Sequence, residues 1–291
     1  MSSNENVTIS EIKRMIPRRS LFSDKNYARL VIVGGSGEYY GAPVLAANSA
    51  YSSLAALRSG AGYVSLFVPK AILESTRKFS PALVVNQSGT KFVKLTADLK
   101  RSIDKARAVV IGMGIGSNPS ALKEALKIMA YSASHDKKMV VDADAIRLIT
   151  NLRYRRNLVI TPNDNEFYLL SGTKPSKSDI AKRVASAKKL SERLSIIVVL
   201  KGHINIISNG AKARVISSKS AALATMGTGD VLDGIIGAYL AMGMSAFDAS
   251  VASVYIHSRI GDILFREKGN HIISTDVIEA LPKTIKNITG T

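Results

Sequence analysis

The chain has 291 residues, 46% of them hydrophobic, and a formal charge of +18. That length and composition describe a globular chain with ample material for a core, not a disordered one. It has no cysteine, which excludes disulfides, thiolate nucleophiles and cysteine-based zinc sites, and its four histidines, His135, His203, His257 and His271, stand at no metal-ligand spacing.

Residues 1 to 25 read as an N-terminal helical segment. "RLVIVGG" is a short apolar run stopped by glycines, a buried strand. "APVLAANSAYSSLAALRSG" follows as a helix, with Pro43 suited to its first turn and Gly60 to its end. "GYVSLFVP" and "PALVVNQ" are strands, and "ARAVVIGMGIGSN" is a strand running into a glycine loop. "PSALKEALKIMAYSAS" is a helix opened by Pro119, and "KKMVVDADAI" a strand that ends on two acids. "NLVITPNDNEFYLLSG" gives strand, turn and helix, and "KSDIAKRVASAKKLSERL" a surface helix with Asp179 in its first turn. "SIIVVLKG" is a strand, and "HINIISNGAKARVIS" a hairpin turned at Asn209–Gly210. Three helices close the chain: one after "MGTGD", one over "AFDASVASVYIHSRIGDILFRE", and one begun at Ser274 or Thr275.

This alternation predicts one α/β domain over residues 1–291, a mainly parallel sheet with helices on both faces. No apolar run reaches the length of a membrane span, and "MSSNENVTIS" lacks the order of a signal peptide, so a cytoplasmic protein with no membrane partner is expected. The positive field attracts anions. Its charges are scattered in short groups such as Lys13–Arg14 and Lys188–Lys189 without aromatic interleaving, so no specific nucleic-acid partner is expected.

Ligands of parallel sheets bind where strands end at their carboxyl side. "GGSGEYYGAP" and "GMGIGSN" are glycine loops at such ends, each also readable as an ordinary strand-to-helix turn. "DADAI" holds Asp142 and Asp144, candidates for a magnesium contact or for structural hydrogen bonds. "TPNDNEF" offers the Asn163 amide for ligand contacts and Glu166 as the metal candidate, against a helix cap with first-turn acids. "LKGHIN" places Lys201 where it can meet a phosphate. "MGTGD" is the most specific: bare amides at Gly227 and Gly229 and a helix dipole suit a phosphoryl group in transfer, with Asp230 beside it to take or orient a hydroxyl proton. The alternative is an acid that merely stabilises a helix start, and the company of the other stretches favours catalysis.

"GGSGEYYGAP", "GMGIGSN", "DADAI", "TPNDNEF", "LKG" and "MGTGDVLDGIIGAYLAMG", in that order across nearly the whole chain, resemble the ADP-dependent NAD(P)H-hydrate dehydratase family, which has the ribokinase-like fold. The Gly-Thr-Gly-Asp element is shared by many ribokinase-like kinases, and the Tyr-Gly-Ala-Pro loop with its alanine-rich helix carries the specificity. The resemblance implies that the S-form of NADHX or NADPHX is dehydrated to NADH or NADPH at the expense of ADP, giving AMP and phosphate, with ATP as an alternative co-substrate and Mg2+ as cofactor. It makes Asp230 the base and Gly227, Thr228 and Gly229 the cradle of the moving phosphoryl. Ala42, Gly116, Asn163 and Asp230 would then meet the hydrate, and Lys201, Gly202, His203, Ile204, Asn205 and Gly229 the nucleotide. It also implies a homo-oligomer, often a tetramer, and an epimerase on a separate chain, because the residues before the first strand are too few for a domain. Three positions depart from the family pattern: Asn163 stands where relatives often have histidine, Asn205 where they have threonine, and Met226 where they have glycine. A kinase of a hydroxymethylpyrimidine or hydroxyethylthiazole shares the fold and the aspartate and is the alternative reading. A nucleic-acid-binding or scaffold protein is a third, supported by charge alone.

Overall fold

The computed structural model describes residues 7–37, 42–155, 157–218 and 220–290, and within these the side chains of residues 42–46 are left out of the account. The strands are β1 (Arg29–Val33), β2 (Tyr63–Val68), β3 (Val84–Gln87), β4 (Ala108–Ile111), β5 (Lys138–Val141), β6 (Leu158–Ile160), β7 (Ile197–Leu200), β8 (Ile204–Ser208) and β9 (Ala213–Ser217). They form one sheet in the order β3-β2-β1-β4-β5-β6-β7-β8-β9. Every pairing from β3 to β7 is parallel, and only the β7–β8 and β8–β9 pairs are antiparallel, through the hairpin expected at Asn209–Gly210.

The helices are α1 (Ile9–Met15), α2 (Ala42–Arg58), α3 (Lys70–Arg77), α4 (Ala97–Lys105), α5 (Pro119–Ser134), α6 (Asp164–Ser171), α7 (Ile180–Leu194), α8 (Thr228–Ala241), α9 (Ala246–Lys268) and α10 (Ser274–Thr289). A 3-10 segment spans Ala143–Asn151. Strand residues alternate between two cores, as a sheet covered on both faces requires. Leu30, Ile32, Val110, Val140 and Val159 face one core with α2, α8, α9 and α10, while Val31, Val33, Ile111, Val141 and Ile160 face the other with α4, α5 and α7.

Several local readings change. Among the described residues of the expected N-terminal segment, 7–25, the helix covers Ile9–Met15, capped by Thr8. Helices α3 and α4 escape the sequence reading because each is short, with two or three buried residues on its apolar stripe. β5 ends at Val141, before the two acids. The backbone turns at Ala143 (φ 50°) into the 3-10 segment, and Asp142 and Asp144 part company.

Candidate active site

The strand order decides where the site lies. β1, β4, β5, β6 and β7 are consecutive, parallel neighbours, so the five stretches that follow them in sequence emerge side by side along one edge of the sheet. The order reverses between β1 and β4, the place where parallel sheets open a crevice. α8 packs over β1, β4 and β5 and points its N-terminus at that edge. This is why glycine loops far apart in the chain meet the "MGTGD" turn.

Gly227 is the N-cap of α8, in the left-handed region at φ 86° with no side-chain cap. A Cβ there would also stand 2.7 Å from Ser274 Oγ and from the Tyr51 ring, so both backbone and packing demand glycine. Ser274 donates to the Met226 carbonyl (2.6 Å) and Thr228 Oγ1 to the carbonyls of Leu223 or Thr225 (2.6 and 2.8 Å), which fixes the turn. Met226 itself is 67% exposed and has no positive φ. A glycine is therefore not required there, which accounts for that departure from the family pattern. The Thr228 amide is taken by the Thr225 carbonyl (3.3 Å), and Gly229 is left as bare backbone on a cavity wall.

Asp230 lies on the first turn of α8, where its carboxylate meets no backbone amide but its own. Its carboxylate, with those of Asp142 and Asp233, forms a group whose oxygens lie within 4.8 Å of one another. Burial, then the negative charge of Asp142, pushes its pKa up to about 7, against the pull of Lys201. Asp142 is buried, which works to raise its pKa, but Lys201 Nζ grips both its oxygens (2.9 and 3.0 Å) and the net shift is downward. Asp233 is fully buried, accepts from Thr161 Oγ1 (2.8 Å), and is pushed well above the ordinary value by burial and by Asp142 beside it. Of the two, Asp233 is the one whose proton affinity is raised and Asp142 the one whose is lowered. Lys201 stays charged despite burial because Asp142, Asp233 and Glu166 surround it. Its Nζ would lie 3.3 Å from a Cβ on Gly229, directly behind the bare turn.

Asn163 and Glu166 are joined in a capping box at the start of α6: Asn163 Oδ1 accepts the amides of Asn165 and Glu166 (2.9 and 3.0 Å), and Glu166 Oε2 accepts the Asn163 amide (2.8 Å). The capping alternative therefore describes their geometry. Glu166 is still electrostatically part of the cluster, since burial and then Asp142 raise its pKa. Among the described residues the acids close enough to share one cation are Asp142, Asp230 and Asp233, without Glu166. Asp144 faces outward and pairs with Arg147 (3.1 Å).

On the far side of Gly229 opens a cavity of about 690 Å³. Asn163, Lys201, Gly202, His203, Asn205, Thr228 and Gly229 line it, with Leu223, Leu232 and His257. Ile204 is absent from this wall; its side chain packs into the second core. Asn205 is committed to the hairpin, accepting from the Gly202 amide (3.2 Å) and donating to the Ile216 carbonyl (3.3 Å). Gly116 is buried in the loop between β4 and α5, at φ 80°. Ala42 opens α2, with its side chain outside the described residues, as is all of 38–41 in the Tyr-Gly-Ala-Pro loop.

Two residues of this site escape the sequence reading. Asp233 was hidden in an apolar helix, where a lone acid with no place on a polar face is the signal of a buried group. Arg183 sits in a helix expected to be a basic surface element, yet is 3% exposed. Its guanidinium donates to the carbonyls of Lys201 (2.9 Å) and Ile204 (3.1 Å) and pairs with Asp164 (2.9 Å), so it clamps the loop that carries Lys201.

The family model described as NAD(P)H-hydrate dehydratase matches residues 30–283. The ADP-dependent (S)-NAD(P)H-hydrate dehydratase of Nitrosopumilus maritimus is 33% identical, with 98% of each chain covered. The bifunctional NAD(P)H-hydrate repair enzyme of Hyperthermus butylicus is 31% identical over 94% of this chain but only 51% of its own, so the chain spans about half the length of such relatives. Among solved structures, a ribokinase-like superfamily protein of Enterococcus faecalis V583 superposes with a TM-score of 0.84 at 25% identity, covering 99% of this chain and 97% of that one.

Proposed function

The chain belongs to the NAD(P)H-hydrate dehydratase family, and from that premise we propose that it is an ADP-dependent (S)-NAD(P)H-hydrate dehydratase, returning hydrated NADH and NADPH to the intact cofactors with release of AMP and phosphate. The observation that carries this reading is Asp230: an acid with a pKa near 7, at a bare helix N-terminus, beside a cavity of nucleotide size.

ADP occupies the cavity, with its phosphates toward Gly229 and its nucleoside along Lys201, Gly202, His203 and Asn205, and Ile204 contributes only backbone. The hydrate approaches Asp230 from the side of Ala42, Gly116 and Asn163. Asp230 takes the proton of the ring hydroxyl as that oxygen bonds to the terminal phosphorus of ADP and the bond to AMP breaks. The positive end of α8, over Gly227, Thr228 and Gly229, holds the phosphoryl oxygens in passage, and Lys201 supports them from behind. The C–O bond then breaks with its electron pair leaving on phosphate, pushed by the ring nitrogen, and loss of a proton from the adjacent carbon restores the ring double bond.

The carboxylates at this edge suit a hard divalent cation. Glu166, whose Oε2 is engaged in the capping box, is the acid we assign to hold magnesium through its other oxygen, and Asp142, Asp230 and Asp233 are the acids close enough to share an ion. The ion would supply charge compensation for the phosphates. A homo-oligomer and a cytoplasmic location belong to the same proposal. For the described residues, no helix is long and apolar enough to cross a membrane.

The test is incubation of purified protein with NADHX and ADP, following recovery of dihydronicotinamide absorbance and formation of AMP. ADP-dependent recovery is expected. No recovery, together with ATP-dependent phosphorylation of a hydroxymethylpyrimidine or hydroxyethylthiazole, would replace this reading with the kinase.

A further inference from the structure

One charged side chain stands behind two parts of the cavity wall without lining the cavity itself. Arg183 is turned inward from α7 with Val184 and Ala187, and is 3% exposed. Where β7 turns into β8, its Nη2 donates to the Lys201 carbonyl (2.9 Å) and its Nε to the Ile204 carbonyl (3.1 Å). Nη1 donates to the Ser176 carbonyl (3.4 Å), between α6 and α7, and forms an ion pair with Asp164 (2.9 Å) at the start of α6. Gly202 crosses the guanidinium so closely that a Cβ there would stand 2.7 Å from Nη2. The turn from β7 to β8 is therefore moulded around this one group.

The residues it holds either face the cavity or adjoin residues that do. Lys201, Gly202, His203 and Asn205 form one stretch of wall after β7, and Asn163, which precedes Asp164, belongs to another after β6. The two stretches are tied directly by the Lys201 amide, which donates to the Pro162 carbonyl (2.8 Å). Arg183 ties them again from behind, through Asp164 on one side and the carbonyls of Lys201 and Ile204 on the other. A buried ion pair is weak ground for stability, because apolar side chains of similar volume often serve as well or better. What an arginine supplies and an apolar side chain does not is geometry: a planar fork whose donors fix several acceptors at set spacings.

We propose that Arg183 is a positioning residue for the nucleotide: by spanning the Lys201–Ile204 turn and Asp164 it sets the spacing of the cavity walls, and with it the affinity for ADP. The proposal rests on the reading of the cavity as the ADP site. Lys201 Nζ has its own anchor on Asp142 (2.9 and 3.0 Å), so the charge beside Asp230 is held separately from the turn. Loss of the guanidinium should accordingly weaken ADP binding and spare the chemical step.

Three variants test this, read by calorimetric titration with ADP and by turnover of NADHX. Arg183→Met keeps bulk and removes the fork. It should bind ADP about tenfold more weakly, the size of an effect relayed through a network without ligand contact. The loss should fall on the KM for ADP, with the KM for the hydrate, kcat and its pH limb those of the parent. Arg183→Lys keeps the charge beside Asp164, but one ammonium does not reproduce the fork across two carbonyls, so it should recover the urea midpoint more fully than the ADP affinity. Gly202→Ala leaves the arginine in place and wedges the turn off it, at a position with no positive φ. It should weaken ADP binding in the parent and add nothing in the Arg183→Met background, because the two changes act on one contact.

An arginine with a merely structural role gives another pattern: a lower urea midpoint and a lower kcat from fewer active molecules, with the KM for ADP unaltered. That pattern overturns the proposal, as do full recovery of ADP affinity in Arg183→Lys and an undiminished Gly202→Ala effect in the Arg183→Met background. If Arg183→Met does not fold, parental ADP affinity in Arg183→Lys and Gly202→Ala is enough to overturn it. A parent that binds no ADP would overturn the assignment of the cavity as well, whereas equal ADP binding by the parent and every variant overturns only the role of Arg183.

Discussion

Asp179 and Asp230 each stand in or beside the first turn of a helix, and their environments drive them in opposite directions. Asp179 is the N-cap of α7. Its carboxylate accepts the Lys182 amide (3.0 Å), lies in solvent, and has its pKa lowered by that bond. Asp230 follows a glycine N-cap, and burial among other acids raises its pKa to about 7. Residue type is the same and both stand at a helix start, Asp179 as the N-cap and Asp230 three residues past one. The difference is what lies opposite: water and helix amides for Asp179, and the buried Asp142–Asp233 pair for Asp230. An acid that satisfies a helix end is spent, whereas one withheld from it and crowded by like charge keeps a proton affinity that chemistry can use.

Asp230→Asn should break this contrast most severely. We expect kcat to fall by about 10²–10⁴-fold, the range for loss of a positioned base, with ADP binding retained. In the unaltered protein kcat should rise with pH along a limb near 7, since the base acts deprotonated. Stability should run the other way. A carboxyl whose folded pKa lies above its unfolded value contributes most when protonated, and that contribution is lost as pH climbs from about 4 toward 7. Asp230→Asn should therefore be more stable than the parent at pH 8, by a margin that shrinks toward pH 4. Urea titrations of both proteins across that span measure it. A variant with parental turnover would return Asp230 to the company of Asp179.

Much of this site was legible in the sequence. Glycine loops and acids after apolar strands could be assigned to one edge before any coordinates, because parallel strands deliver their carboxyl ends together. "MGTGD" was legible because bare backbone before a helix has few other uses. What escaped was long-range pairing. Nothing in "KSDIAKRVASAKKLSERL" marks Arg183 as the clamp on the Lys201 loop, since its acceptors are carbonyls some 20 residues away on another element. Asn205 and Asn163 carry structural roles beside the expected ligand contacts: both line the cavity, while Asn205 uses its amide to hold the hairpin and Asn163 its side-chain oxygen to cap α6.

Lys201→Met sharpens the contrast from the side of the partner. It leaves Asp142 buried and ionised with its cation gone. Breaking a buried pair in this way costs about 3–5 kcal/mol, to be read from the shift in urea midpoint. The rescue should come from acid: as pH falls and Asp142 takes up a proton, the deficit should narrow. Because Lys201 also lowers the proton affinity of Asp230, the kcat limb should move to higher pH in whatever activity remains. A limb that stays in place would mean that Lys201 does not act on Asp230.

Asp179→Ala is the control that gives the comparison its meaning, and its effect is the smallest. The substitution removes one capping bond and a loose i,i+3 contact with Lys182 (3.6 Å), both on the solvent side of α7. A lost N-cap in a domain of this size lowers Tm by about 2–4 °C. The sign of its pH dependence is opposite to that of Asp230. A carboxyl with a lowered folded pKa stabilises the protein above the unfolded value and ceases to do so in acid, so the gap between parent and variant should close as pH falls below about 4. Turnover and its pH limb should be those of the parent. Had both aspartates been caps, their two variants would share one pH signature. Opposite slopes of stability against pH, measured in the same titrations, would show that the fold uses one residue type at two helix starts for two different purposes.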